Sequence, residues 1–413
     1  MSKILFKNIA KLVSVRDEQA ALKGVSLSEL PILQNAWLMV EDGLISGFGP
    51  MSAIPGNVAA ISNRVDLTGR LLLPCWCDSH THLVFAASRE GEFVDKIKGA
   101  NYAEIAARGG GILNSANRLN ETTEDELFNL AWKRLTQVQR MGTGAIEIKS
   151  GYGLSTQGEL KMLRVVKRLK EKSGMLIKST FLGAHAYPLQ FKNDHQGYIR
   201  MIIEEMLPRI SQDRLADYVD VFCEKDFFST EETEQVCRAA MAHGLKVKLH
   251  ANQLSCSGAV QTGVRLGALS VDHLECMDNE AIKALSNAST IGTMLPTAAF
   301  FLRMPYPPAR KLIDAGAAVA LATDYNPGSS PSGNMNLVMA MACIKMKMLP
   351  EEAINAATLN GAFAMEVQNE AGSIRIGKRA NLIATQPVPS IEYLPYSFGE
   401  NWIESVMING VFI

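Results

Sequence analysis

From Leu71 onward the chain alternates short β-like runs with amphipathic helical stretches, and it does so for about 300 residues. Few folds are compatible with that rhythm. Apolar runs at residues 145–148, 179–182, 246–249 and 317–321 are separated by segments of helical spacing, such as Phe128, Ala131, Leu135 and Val138, or Met162, Val165, Val166 and Leu169. Strands joined through helices run parallel, because the crossover returns each strand to the same starting edge. At this length the expected α/β architecture is a closed (β/α)8 TIM-like barrel. The two chain ends read differently. Residues 4–6, 36–40 and 44–48 are β-like and broken by turns such as Glu41-Asp42-Gly43, and after a helical run at 351–364 the stretch 372–383 turns β-like again. Residues 1–65 and 370–413 are therefore expected to form one small β-sandwich domain from both chain ends, beside a barrel over 66–369.

Composition narrows the partners. With 47 % hydrophobic and 20 % charged residues, the chain fits an ordinary soluble enzyme. A net charge of −1 gives no electrostatic reason to bind nucleic acid or anionic lipid, so a small molecule is the expected partner. The first residues lack an apolar export segment, and no run approaches the roughly 20 apolar residues that span a membrane. Seven cysteines, an odd number without paired spacing, read as reduced thiols, and a cytoplasmic location is expected.

The chemistry is concentrated where strands end, which is where barrel enzymes carry their active side chains. Asp78-Ser79-His80-Thr81-His82 follows the apolar run at 71–73. Residues two apart on a strand share a face, so Asp78, His80 and His82 lie on one side and both imidazoles can reach one ion. His185, His250 and His273 end further runs, and Asp324 ends another. Any one of these histidines alone is more simply a hydrogen-bonded core or loop residue. Five of seven at strand ends, with a carboxylate, are better explained by a metal site. Imidazoles with one carboxylate suit Zn²⁺ or Fe²⁺ and leave a position for water. Such a metal lowers the pKa of that water and polarises a carbonyl.

In this order, and inside a split β domain, these residues resemble the amidohydrolase superfamily. Longer stretches narrow the resemblance: 78–86, Ser88-Arg-Glu-Gly-Glu-Phe, 102–112, Glu147-Ile-Lys-Ser-Gly-Tyr-Gly, 182–186 and 323–329. They are similar to the branch that opens a cyclic amide in histidine breakdown. The resemblance implies one divalent metal, zinc or iron (Fe²⁺/Fe³⁺), held by His80, His82, His250 and Asp324. It implies that Arg89, Tyr152, His185 and Gln253 surround the substrate, with Tyr102 nearby and Asn326, Gly328 and Ser329 on the far side. The substrate implied is 4-imidazolone-5-propanoate and the product N-formimidoyl-L-glutamate, in a homodimeric enzyme. His273 would assist the water or the carbonyl, and either His273 or Asp324 would carry the proton to the leaving nitrogen.

Several positions depart from that pattern or invite other readings. Cys75-Trp76-Cys77 precedes the metal motif, but alternation turns both thiols away from His80 and His82, so they are expected to be structural. Gln253 occupies a place where some relatives carry an acid; an amide can bind and orient but cannot act as a base. Asn381, where an Asp is common, is expected to matter little. A binuclear site would want a lysine at the fourth strand's end, read here as Gly183-Ala184-His185, so one metal is favoured. Gly109-Gly110-Gly111 lacks the Lys-Ser/Thr of a phosphate loop and reads as a close-approach turn, and the Met-rich run 335–348 reads as a packed helix. Purine or pyrimidine aminohydrolases would share the metal set without needing Arg89 with Tyr152. A metal-free scaffold would have lost ligands, and none is missing.

Overall fold

The structure, a computed structural model, describes residues 3–99 and 110–413. Its first strands are β1 (Lys3–Val13), β2 (Ile32–Glu41), β3 (Leu44–Pro50), β4 (Arg64–Asp66) and β5 (Arg70–Pro74). Then come eight strands in sequence: β6 (Trp76–Asp78), β7 (Thr143–Lys149), β8 (Leu176–Ala184), β9 (Tyr218–Cys223), β10 (Lys246–Ala251), β11 (Ser270–His273), β12 (Ile291–Met294) and β13 (Val319–Leu321). These eight pair in parallel in chain order. Asp324 N donates to His80 O and His82 N to Tyr325 O, both at 2.9 Å, which joins the last strand to the first. The expected (β/α)8 barrel is the fold.

The chain ends form the second sheet. β14 (Leu382–Pro387), β15 (Ile403–Ile408) and β16 (Val411–Phe412) follow the barrel, and the sheet order is β16-β15-β14-β5-β1-β2-β3, with β4 also on β1. Its two halves close on a shared core that includes Phe6, Leu38, Ile45, Leu72, Leu382 and Met407. Backbone bonds from Ala380 N to Gly43 O (2.8 Å) and Ile45 N to Lys378 O (2.9 Å) seal that contact. The sheet includes β5, so it reaches further along the chain than residue 65.

The helical spacings are borne out. Glu124–Arg140 buries Phe128, Ala131, Leu135 and Val138, and Thr156–Ser173 buries Met162, Val165, Val166 and Leu169. Each begins at a hydroxyl cap, Thr123 and Ser155, whose side chain accepts a backbone N–H of the first turn. The Met-rich run forms Met335–Met346, with Met335, Met339 and Met346 in the main core.

Other expectations are corrected. The run at 351–364 is two helices, Pro350–Ala357 and Leu359–Ala364, broken at Thr358, where ψ is −84°. Asn360 just beyond donates to Leu22 O and Val319 O, and these tertiary bonds fix the break. Of residues 372–383, only the last two join a strand; the rest make turns and single bridges. β9 and β12 are additional to the runs read from sequence. His185 therefore follows the third barrel strand, and the fourth ends at Cys223, followed by a buried Glu224 and an exposed Lys225. Asn381 is not idle: its side chain accepts from Asn409 N (2.8 Å) and donates to Gly144 O (3.3 Å), while its carbonyl takes Cys75 N. It clamps the seam where β5 becomes β6.

Candidate active site

The barrel interior follows from strand alternation. On β7, Ile146 and Ile148 pack outward with the helices, leaving Glu147 and Lys149 facing in. On β9 and β10, Val219, Val221, Val247 and Leu249 pack outward, leaving Asp220, Lys248 and His250 inside. Asp272 enters from β11. At the C-terminal ends of the strands, His80, His82, His250, His273 and Asp324 meet, each no more than 3 % exposed.

Their polar atoms converge. His82 Nε2 lies 3.3 Å from His250 Nε2, and His80 Nε2 and His82 Nε2 each lie 3.5 Å from Asp324 Oδ1. The potential ligand atoms of His80, His82 and His250 fall within 4.8 Å of one another, as do those of His80, His273 and Asp324. Behind them, Asp272 Oδ2 sits 2.6 Å from His80 Nδ1, and Asp220 Oδ2 sits 2.9 Å from His250 Nδ1. A carboxylate there accepts a hydrogen bond from Nδ1–H and turns the Nε2 lone pair toward the shared centre. Among the described residues, His80 Nε2 is buried without a hydrogen-bond partner. Lone pairs converging on one point, beside a carboxylate, lack a positive partner, so this donor set fits a metal ion.

Electrostatics agree. Burial, then the Lys149 ammonium, holds His80 well below its ordinary pKa, and burial, then His250, does the same for His82. Burial also raises Asp324, although the neighbouring histidines oppose it. His273 goes the other way: burial works against its charge, but Glu275, whose Oε1 is 3.3 Å from Nδ1, carries its pKa above the usual value. His273 adopts φ +87° and Asp324 φ +53°, left-handed conformations that cluster at functional sites.

A cavity of about 510 Å³ opens from this centre. Its lining includes Arg89, Tyr152, His185, Gln253, Asn326, Gly328 and Ser329. His185 stacks on His82 with ring centroids 5.5 Å apart, and its Nδ1 is 2.9 Å from Gly151 O. Burial first, then His250, pushes His185 down to about 3. Arg89 Nε donates to Ser115 Oγ (2.9 Å), and its Nη2 is buried without a partner among the described residues. The guanidinium lies against Gly328, where an added Cβ would come within 2.5 Å of Nη1, so only glycine leaves it room. Asn326 Nδ2 donates to Ser329 Oγ, which donates to Asp324 Oδ2 (3.1 Å), tying this loop to the centre. Tyr102 lies outside the described residues.

Some expected neighbours serve other ends. Asp78 accepts from Thr323 N (3.0 Å) and Thr323 Oγ1 (2.6 Å), which steadies the strand carrying Asp324. Cys75 and Cys77 are buried and belong to neither group of potential metal ligands. Gly111 N donates to the Glu92 carboxylate, so this helix start meets an acid. Residues missed from sequence include Asp220, Asp272, Lys149 and Lys96. Lys96 lines the cavity seven residues after Arg89, a helical spacing that could have revealed it. The Gln253 turn is held by Glu224, which accepts from Leu254 N (2.8 Å) and from Ser255 Oγ.

Barrel, composite sheet and histidine–aspartate centre define an amidohydrolase, and the sequence pattern described as "Amidohydrolase family" matches residues 71–413. The chain is 55 % identical over 410 residues to "Imidazolonepropionase" of Flavobacterium johnsoniae, covering 99 % of each, and 53 % identical over 412 residues to that of Christiangramia forsetii, covering 99 % of this chain and 100 % of the relative. The chain belongs to the imidazolonepropionase family within the amidohydrolases. Among solved structures, a guanine deaminase from C. acetobutylicum shares the fold at TM-score 0.71 and 15 % identity, covering 100 % of both chains. A triazine hydrolase variant does so at TM-score 0.72 and 14 % identity, covering 99 % of this chain and 94 % of its own. Among the described residues, no helix is long and apolar enough to cross a membrane.

Proposed function

We propose that the chain hydrolyses 4-imidazolone-5-propanoate to N-formimidoyl-L-glutamate, the reaction of histidine breakdown. The observation that carries this reading is one cavity with a histidine–aspartate centre at its base and, on its wall, the half-buried Arg89, whose Nη2 is buried without a partner among the described residues. A carboxylate answers that guanidinium with a bidentate pair. Tyr152, His185 and Gln253 supply flat or hydrogen-bonding surface for a small ring.

His80, His82, His250 and Asp324 would hold the metal, whose Lewis acidity lowers the pKa of water and polarises the ring carbonyl. One divalent ion is supported by geometry: ligand atoms of His80, His82 and His250 lie within 4.8 Å of one another, and Asp324 Oδ1 is 3.5 Å from both His80 Nε2 and His82 Nε2. The donor set suits Zn²⁺ and Fe²⁺ alike. Asp324, held by Ser329, receives the proton of the attacking water. Water oxygen bonds to the ring carbonyl carbon, the bond from that carbon to the ring nitrogen breaks, and the proton passes to that nitrogen. His273, disfavoured as a cation by burial but raised above its ordinary pKa by Glu275, donates a hydrogen bond to the carbonyl oxygen as its charge grows.

The small composite domain expected over 1–65 with 370–413 is proposed to extend to Pro74, because β5 pairs with β14, and the catalytic barrel to begin after it. A homodimer in the cytoplasm completes the proposal; free thiols at all seven cysteines are compatible with that location. The test is direct. Pure metal-loaded protein should abolish the absorbance of imidazolonepropionate with formation of N-formimidoyl-L-glutamate. Metal-loaded protein that leaves this substrate intact would overturn the assignment.

A further inference from the structure

A (β/α)8 barrel is ordinarily filled by layers of branched apolar side chains. Here the layers beneath the imidazoles are charged. Glu147, Lys149, Asp220, Lys248 and Asp272 are each fully buried. Buried ion pairs are often no more stable than apolar residues of the same volume, because desolvation offsets their attraction. Stability alone therefore does not account for a charged barrel interior.

The arrangement shows what the charges do. Lys149 Nζ lies 2.9 Å from Asp220 Oδ2 and 3.4 Å from Asp272 Oδ2, with Glu147 Oε1 at 2.6 Å. Those same two oxygens face His250 Nδ1 (2.9 Å) and His80 Nδ1 (2.6 Å). One ammonium thus sits between the carboxylates that hold two separate imidazoles. Lys248, equally buried, reaches Glu147 and Ser79 O (3.1 Å) but pairs with neither aspartate.

We propose that Lys149 is a positioning residue: by bridging Asp220 and Asp272 it fixes both carboxylates against His250 and His80, so that the two Nε2 atoms point at one metal. Without it, two carboxylates that shared one cation face each other uncompensated, and at least one swings away from its imidazole. The inference rests on the metal centre proposed above but not on which cyclic amide is hydrolysed.

The test uses zinc-loaded full-length protein equilibrated with a competing chelator, with thermal unfolding followed on the same samples. Lys149→Met should hold zinc about ten- to a hundredfold more weakly than wild type, the scale of losing a group behind a metal ligand. Lys248→Met, which removes a buried cation that forms no ion pair with either aspartate, should weaken zinc binding less than Lys149→Met, even if it melts earlier. That split separates positioning from general support of the barrel. Equal zinc affinity in folded Lys149→Met and wild type, or equal loss in both lysine variants, overturns the inference while leaving the centre intact. A wild-type chain that holds no zinc or iron removes both together. If Lys149→Met fails to fold, Lys149→Gln is measured in the same way. On wild type itself, histidine ring ¹⁵N spectra should show Nδ1–H on both His80 and His250; a proton on Nε2 of either one overturns the proposal.

Discussion

The base and the mouth of the cavity are built by different rules. At the base, each metal-facing side chain ends a barrel strand or lies within a few residues of one, and two of the imidazoles are backed by carboxylates that are themselves fully buried. At the mouth, Arg89 caps a short helix, Glu90–Ile97, whose Phe93, Val94 and Ile97 are exposed, and Gln253 rides a turn beside exposed Leu254. Strands fix positions to a fraction of an ångström, whereas loops accept variation. The contrast supports the proposed division of labour, in which the base would supply chemistry common to amidohydrolases and the mouth would select the substrate.

Variants can break that division. The largest effect belongs to the base. His250→Ala should lose the metal and lower kcat/KM by more than about a thousandfold, beyond the cost of one oxyanion donor, with the barrel still folded. Elemental analysis beside circular dichroism checks it, and two tight metal equivalents in wild type would refute the mononuclear centre. Next comes Arg89→Met at the mouth. A propanoate left desolvated without its partner costs about 2–5 kcal/mol, a loss of roughly thirtyfold to several thousandfold in kcat/KM. Metal content should not change; a variant within about threefold of wild type would remove Arg89 from recognition.

Gln253 sharpens the comparison at smaller scale. Gln253→Ala should cost about tenfold in kcat/KM, the worth of a hydrogen bond or two, and Gln253→Glu less. Full activity in the alanine variant would show that this turn makes no contact. The smallest effect is thermal. His185 titrates near ~6.5 when unfolded but at about 3 when folded. Between those values only the unfolded chain holds the proton, so acid favours unfolding. The contribution of neutral His185 is therefore whole above pH ~6.5 and lost as pH falls toward 3. Metal-free wild type should melt lower at pH 5 than at pH 7, and His185→Gln should shrink that difference by about 2 °C while leaving the part due to His80 and His82.

Much of this was legible from one chain because the signals are local. Helical spacing and apolar runs disclose the barrel, and a histidine just after a strand is a local event. The residues behind the histidines are not local. Asp220 lies on β9, which the apolar-run reading passed over, and it meets His250 only because β9 and β10 pair in register Lys248 with Asp220. Asp272 stands beside His273 and Lys149 beside Ser150, yet nothing in the sequence says that one ammonium reaches both aspartates. The break at Thr358 was hidden for the same reason, since its cause is an Asn360 contact with Leu22.

The seam between β5 and β6 has a consequence for how the chain is made. Only Cys75 separates the end of one sheet from the start of the other, and His80 follows five residues later. β5 takes β14 as a neighbour, with Ile383 opposite Leu73, and Cys75 Sγ approaches Met407 O across 332 positions of sequence. During vectorial synthesis the His80–His82 segment leaves the ribosome early, long before β14 and β15, which clamp its base. The proposed ligands His80 and His82 thus emerge well before the strands that clamp their base, so the proposed site is completed by segments made much later than its first donors.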